Sequence, residues 1–100
     1  MNCRTDKSMY APNETVWVHT DNLPVETVSF RLILFHLEKT VFMENIAAEE
    51  RFSLIPPAKE GTGYLLAVQA LGTDKTLLAE AFTAIDVSSA WTRFPRYGYV

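Results

Sequence analysis

The stretch "VSFRLILFHL", residues 28–37, decides the fold. Its apolar side chains occupy both parities of an extended chain: Phe30, Leu32 and Leu34 fall on one face, and Ile33, Phe35 and Leu37 on the other. β-Branched and aromatic content with this alternation reads as a strand. A strand apolar on both faces needs two covers, and an antiparallel two-layer fold supplies one. The second cover is either a loop or long neighbouring side chain over a central strand, or another domain.

Outward from this strand, turn signals recur at short intervals: Pro12-Asn13, "TDNLP" at 20–24, "HLEKT" at 36–40, "IPPAKEGTG" at 55–63 and "LGTDKT" at 71–76. Strands are expected between them at roughly 3–9, 14–20, 27–37, 40–46, 50–55, 63–71 and 77–87. "TVWVHT" sets Val16, Val18 and Thr20 against Trp17 and His19, and "EERFSLIP" sets Phe52 and Leu54 against Arg51 and Ser53. Both are half-buried strands. "ENIAAEERF" holds good helix formers, but it is short and Pro56-Pro57 soon follow, so it reads as strand, turn and short strand. About seven short strands at this spacing give an all-β antiparallel sandwich. One hundred residues suffice for one domain, here residues 1–90, leaving 91–100 as an aromatic linker.

Several function classes lose support from composition. Nine Lys and Arg against 12 Asp and Glu give a net charge of -3, where a nucleic-acid surface would need a basic excess on one face. Cys3 is the sole cysteine, so neither an internal disulfide nor a thiolate metal cluster is possible. No run approaches the ~18 apolar residues of a membrane span. "MNCRTDKSMY" is polar where a signal peptide would be apolar; a signal removed ahead of a chosen mature boundary, with Met1 as an added start, is compatible with it.

Catalytic constellations are equally sparse. His19 and His36 are too few for a metal site, and Ser29, Ser53, Ser88 and Ser89 lack a nucleophile elbow. Carboxylate neighbours such as Glu49-Glu50 or Asp21 with Glu26 sit in polar turns with nothing to raise a pKa. "KEGTG" and "LGTDKT" lack Walker A spacing and read as hairpin turns. Asn13-Glu14-Thr15 is a glycosylation sequon, of use only to a glycosylating host. No cofactor and no metal are expected.

The end of the chain, "SSAWTRFPRYGYV" at 88–100, gathers Trp91, Arg93, Phe94, Arg96, Tyr97 and Tyr99 on neither a clean helical nor a single strand face. Three fates are open from the residues alone: contact with another domain, folding back on the sandwich, or a ligand surface. Aromatics and arginines anchor desolvated interfaces, and planar rings also stack on sugars.

"TAIDVSSAWTRFPRYGYV" at 83–100 resembles the junction between the N-terminal domain and the catalytic barrel of glycoside hydrolase family 66, the dextranases and cycloisomaltooligosaccharide glucanotransferases. "DKSMYAPNETVWV" at 6–18 resembles the opening of the same domain, and "GYLLAVQAL" at 63–71 the strand preceding its last hairpin. Asn13 stands where the family usually has glycine, and Asn tolerates the same left-handed turn. The resemblance implies an immunoglobulin-like β-sandwich ahead of a (β/α)8 barrel in a secreted or cell-surface bacterial enzyme that acts on α-1,6-glucan with retention. The barrel carboxylates would lie beyond this chain, so the chain itself would have no glucanase activity. Its expected role is to stabilise or orient the barrel, its partner in the same polypeptide, through Asp86, Trp91, Arg93, Phe94, Arg96, Tyr97 and Tyr99. The alternative is a carbohydrate-binding module that stacks glucan on Trp17, Trp91 and Tyr97. Neither reading calls for nucleic acid or membrane insertion.

Overall fold

The computed structural model describes residues 1–55 and 59–88. Eight strands form two facing sheets: β1 (Asn2–Thr5), β2 (Met9–Tyr10), β3 (Val16–Asp21), β4 (Ser29–His36), β5 (Lys39–Ala47), β6 (Arg51–Leu54), β7 (Gly61–Leu71) and β8 (Leu77–Val87). The small sheet has order β1-β3-β6 and the large one β2-β8-β7-β4-β5. This is the β-sandwich expected, of the immunoglobulin-like kind.

The core lies where the alternation places it. β3 contributes Val16 and Val18, β6 contributes Phe52 and Leu54, and facing them stand Phe30, Leu32 and Leu34 of β4 with Tyr64, Leu66, Val68 and Ala70 of β7. Phe30 and Phe52 meet across the sheets with ring centroids 5.6 Å apart, tilted 53°, an arrangement that their ring quadrupoles favour. β4 sits between β7 and β5, as a two-faced apolar strand should, and its second face is taken up below.

Three local readings differ from expectation. The strand expected at 3–9 is two strands: β1 pairs antiparallel with β3, and after Asp6–Ser8 the chain crosses to the large sheet, where β2 pairs parallel with β8. β7 starts at Gly61 and carries a bulge between Gly61 and Tyr64. Leu37 is not a strand residue. It forms, with Glu38, the two-residue turn between His36 and Lys39, and both have positive φ, 51° and 65°.

Two successive left-handed residues make a type I′ hairpin turn, which prefers Asn-Gly because a Cβ is costly there. Leu37→Asn combined with Glu38→Gly should therefore stabilise the chain by about 1 kcal/mol, read as a higher urea midpoint at unchanged slope. Two other turns have the residues they need: Asn13 and Asn22 take φ of 66° and 57°, and Asn bears this region better than most side chains.

Candidate functional site

The described residues contain no group of three or more His, Cys, Asp or Glu placed to hold a metal. Several of their charged side chains are engaged in holding the fold. Arg4 pairs with Asp21 at 3.0 Å across β1 and β3, Lys7 pairs with Glu14, and Gln69 donates to Glu80 at 2.7 Å. Glu49 and Glu50 are exposed. Burial pushes the Cys3 thiol up from its ordinary value, which disfavours the thiolate a nucleophile requires. A groove of about 590 Å³ lined by Val28, Gly72, Thr73 and Leu78 has Glu26 and Asp74 on it as well. Both carboxylates are exposed to water, whereas the acid of glycoside cleavage sits in apolar surroundings.

The opening motif is a clasp. Tyr10, fully buried, donates its hydroxyl hydrogen to Asp6 Oδ1 at 2.5 Å and accepts from the Lys7 N–H at 2.8 Å. Asp6 Oδ1 also accepts from the Trp17 N–H at 3.2 Å, which ties the crossover to β3. Glu14 accepts from the Ala11 N–H at 2.9 Å while pairing with Lys7. Tyr10 therefore has its pKa pushed up to about 12, by burial first and then by its bond to Asp6. The Tyr10 hydroxyl holds the Asp6 carboxyl below its usual range, and the bond from Lys7 does the same for Glu14. Asp6, Lys7, Tyr10 and Glu14 thus explain the motif as architecture.

At the other end of the sequence the clasp continues. Asp86 pairs with Met9, the Asp86 N–H donates to the Ser8 carbonyl, and the Ser88 N–H to the Tyr10 carbonyl, both at 2.9 Å. The Asp86 carboxylate accepts from the Gly63 N–H at 2.8 Å, and Gly63, at φ 72°, is the bulge residue that only glycine holds without strain. Gly61 is needed for a second reason, since a Cβ there would meet His36 Nε2 at 2.7 Å. That imidazole stacks on Tyr64 with centroids 4.2 Å apart, so it is not free to withdraw at no cost. The end of β8, the start of β7 and the β4–β5 turn therefore form one fixed end of the large sheet, from which the chain leaves at Ser88.

Of the residues assigned to an interdomain contact from the sequence, Asp86 is the one that lies among the described residues; Trp91, Arg93, Phe94, Arg96, Tyr97 and Tyr99 lie outside them. Trp17, offered as a sugar platform, has the Arg51 guanidinium 3.8 Å from its ring centroid. One ring face is thereby covered by a cation–π contact. Beside it a cleft of about 330 Å³ is lined by Ile46, Ala47, Glu49 and Phe52.

Sequence reasoning found the second apolar face of β4 but missed the larger feature it belongs to, the outward face of the large sheet. Register places Met43, Ile33, Ala67 and Phe82 in one row across β5, β4, β7 and β8, and Phe35, Leu65 and Ala84 in the next. Met43 and Phe82 are 59% and 52% exposed, while Ala67 between Ile33 and Phe82 is buried. On one side the patch ends at a polar row, where Arg31 donates to Gln69 at 3.4 Å and Gln69 to Glu80. The signal lay in three registers at once, which no single strand of the sequence contains.

The sequence profile of glycosyl hydrolase family 66 matches residues 5–100. The chain belongs to this family. Two cycloisomaltooligosaccharide glucanotransferases from Niallia circulans are each 32% identical to it over 108 residues, a match that covers 96% of the chain and 11% of the relative. The chain thus spans about a tenth of the length of these family 66 proteins, and it corresponds to a small part of a much larger bacterial polypeptide. Within family 66, the Asp6–Tyr10 clasp and the Asp86–Gly63 bond give the two ends of the domain a structural reading.

Proposed function

We propose that the chain is the non-catalytic N-terminal domain of a secreted bacterial family 66 enzyme acting on α-1,6-glucan, and that it stabilises or orients the catalytic barrel. One observation carries this reading: a match over 96% of the chain occupies 11% of the glucanotransferases it resembles. The described acidic groups support it, because Asp6, Glu14, Asp21, Glu80 and Asp86 are each bonded to a neighbour of the fold rather than converging on a cleft. Retaining glycoside chemistry needs two carboxyls about 5 Å apart across a bound sugar. The barrel supplies that pair, and transfer to water or to a sugar hydroxyl is decided there.

The purified chain should release no sugar from dextran above a buffer blank. Removing residues 1–88 from the parent enzyme should lower its midpoint of thermal inactivation by about 5 °C while changing kcat of the remaining folded enzyme less than about twofold. Sugar release by the chain alone, or a truncated enzyme as heat-stable as the parent, would overturn the reading. Because Arg51 already covers one face of Trp17, isomaltooligosaccharides at millimolar concentration should leave the tryptophan fluorescence of the chain without a saturable change.

A further inference from the structure

We infer that the outward face of the five-stranded sheet, centred on Met43, Ile33, Ala67 and Phe82, is the surface on which the rest of the same family 66 polypeptide docks. This rests on the reading that the domain belongs to a longer enzyme, and it names the face that enzyme covers. The face has the anatomy of an interface. Its centre is apolar, and its rim is the bonded row Arg31, Gln69 and Glu80. Ala67 is buried between Ile33 and Phe82 of the adjoining strands, so those larger side chains form the apolar surface there.

Two features favour the same polypeptide as the occupant. Phe82 and Ala84 lie on β8, whose last residue is Val87, so the patch reaches the C-terminal strand of the described residues. Nine tenths of the matched relatives' length lies outside the region shared with this chain, and a domain joined in the same polypeptide meets the face at a higher effective concentration than a free partner does. Leu37, exposed and held in a left-handed conformation, projects at the same end, between β4 and β5. Such strain with an exposed leucine is better suited to a contact than to open water. The small sheet offers nothing comparable. Its outward residues are polar or charged around Trp17, namely Arg4, His19, Arg51 and Ser53, and Arg51 already covers the indole.

Hydroxyl-radical footprinting of the 100-residue chain and of the full-length parent enzyme tests this, because side-chain oxidation follows solvent exposure. Met43 and Phe82 should react about tenfold more slowly in the full-length enzyme, while Trp17 and His19 on the opposite sheet change less than about twofold. Protection of Trp17 and His19 with Met43 and Phe82 unchanged would overturn the assigned face and leave the domain reading standing. Equal rates at all four positions would overturn both. The chain alone should sediment as a monomer at about 100 µM; a dimer that protects Met43 and Phe82 would give the face to a second copy and overturn the inference.

Discussion

Tyr10→Ala should destabilise the chain by about 4 kcal/mol, a large fraction of what a domain of this size possesses. Tyr10 is fully buried and its ring packs into the core, so truncation leaves a cavity. It also removes the donor to Asp6 and the acceptor of the Lys7 N–H at the point where the chain crosses between sheets. Tyr10→Phe separates these effects. It keeps the ring and should cost about 1.5–3 kcal/mol, the worth of a hydrogen bond to a charged group. Urea unfolding followed by tryptophan fluorescence measures both.

The same pair predicts a pH dependence whose sign follows from the direction of the shifts. Tyr10 has its folded pKa raised from 10 to about 12, so its contribution is complete below pH 10 and is lost as pH rises from 10 through about 12. The loss is on the order of 2 kcal/mol, and subtracting the Tyr10→Phe curve isolates it from other groups that titrate there. Asp6 is shifted the other way. Its contribution is present above the ordinary carboxyl pKa of 3.8 and disappears as pH falls through the lower folded value. An alkaline limb of equal size in the wild type and in Tyr10→Phe would contradict this assignment.

The fold was largely legible because its strongest signals are local. Val16 and Val18 against Trp17, and Phe52 and Leu54 against Arg51 and Ser53, are period-two patterns that each report one buried face, and the sheets form on those faces. Asn13 and Asn22 mark turns by their own tolerance of positive φ. What escaped is non-local. The break between β1 and β2 depends on Asp6 reaching the Trp17 backbone, a partner eleven positions away, and no propensity at Thr5–Ser8 announces it. Alternation runs on through Leu37 into the turn signal "HLEKT", and Leu-Glu is a poor I′ turn by composition, so the pattern carries the strand one residue too far.

The candidate site was legible in one half. A face of β4 in need of a second cover can be read from Ile33 and Phe35 alone. The row that completes the face cannot, because Met43, Ala67 and Phe82 join it only through the registers of three strand pairs. Asp86 could be named for the interdomain contact, but its bond within the domain could not be read, since its partner is the amide of Gly63 in a bulge.

Leu32→Ala and Ile33→Ala, adjacent in sequence, should differ widely in the chain studied alone. Leu32 lies between the sheets with Val68 beside it, and losing it should cost about 3 kcal/mol. Ile33 points away from the core and keeps part of its surface in water, so its loss should cost about 1 kcal/mol. Equal costs would mean that both faces of β4 are already sealed, contrary to the exposure of Met43 and Phe82. In the full-length enzyme the difference should narrow. A covering domain removes the remaining surface of Ile33 from water, and truncation there then leaves a cavity of the kind made at Leu32, raising the cost to about 2–3 kcal/mol. The second apolar face of "VSFRLILFHL" is therefore a measurable quantity: it is the part of Ile33's contribution that the isolated domain lacks.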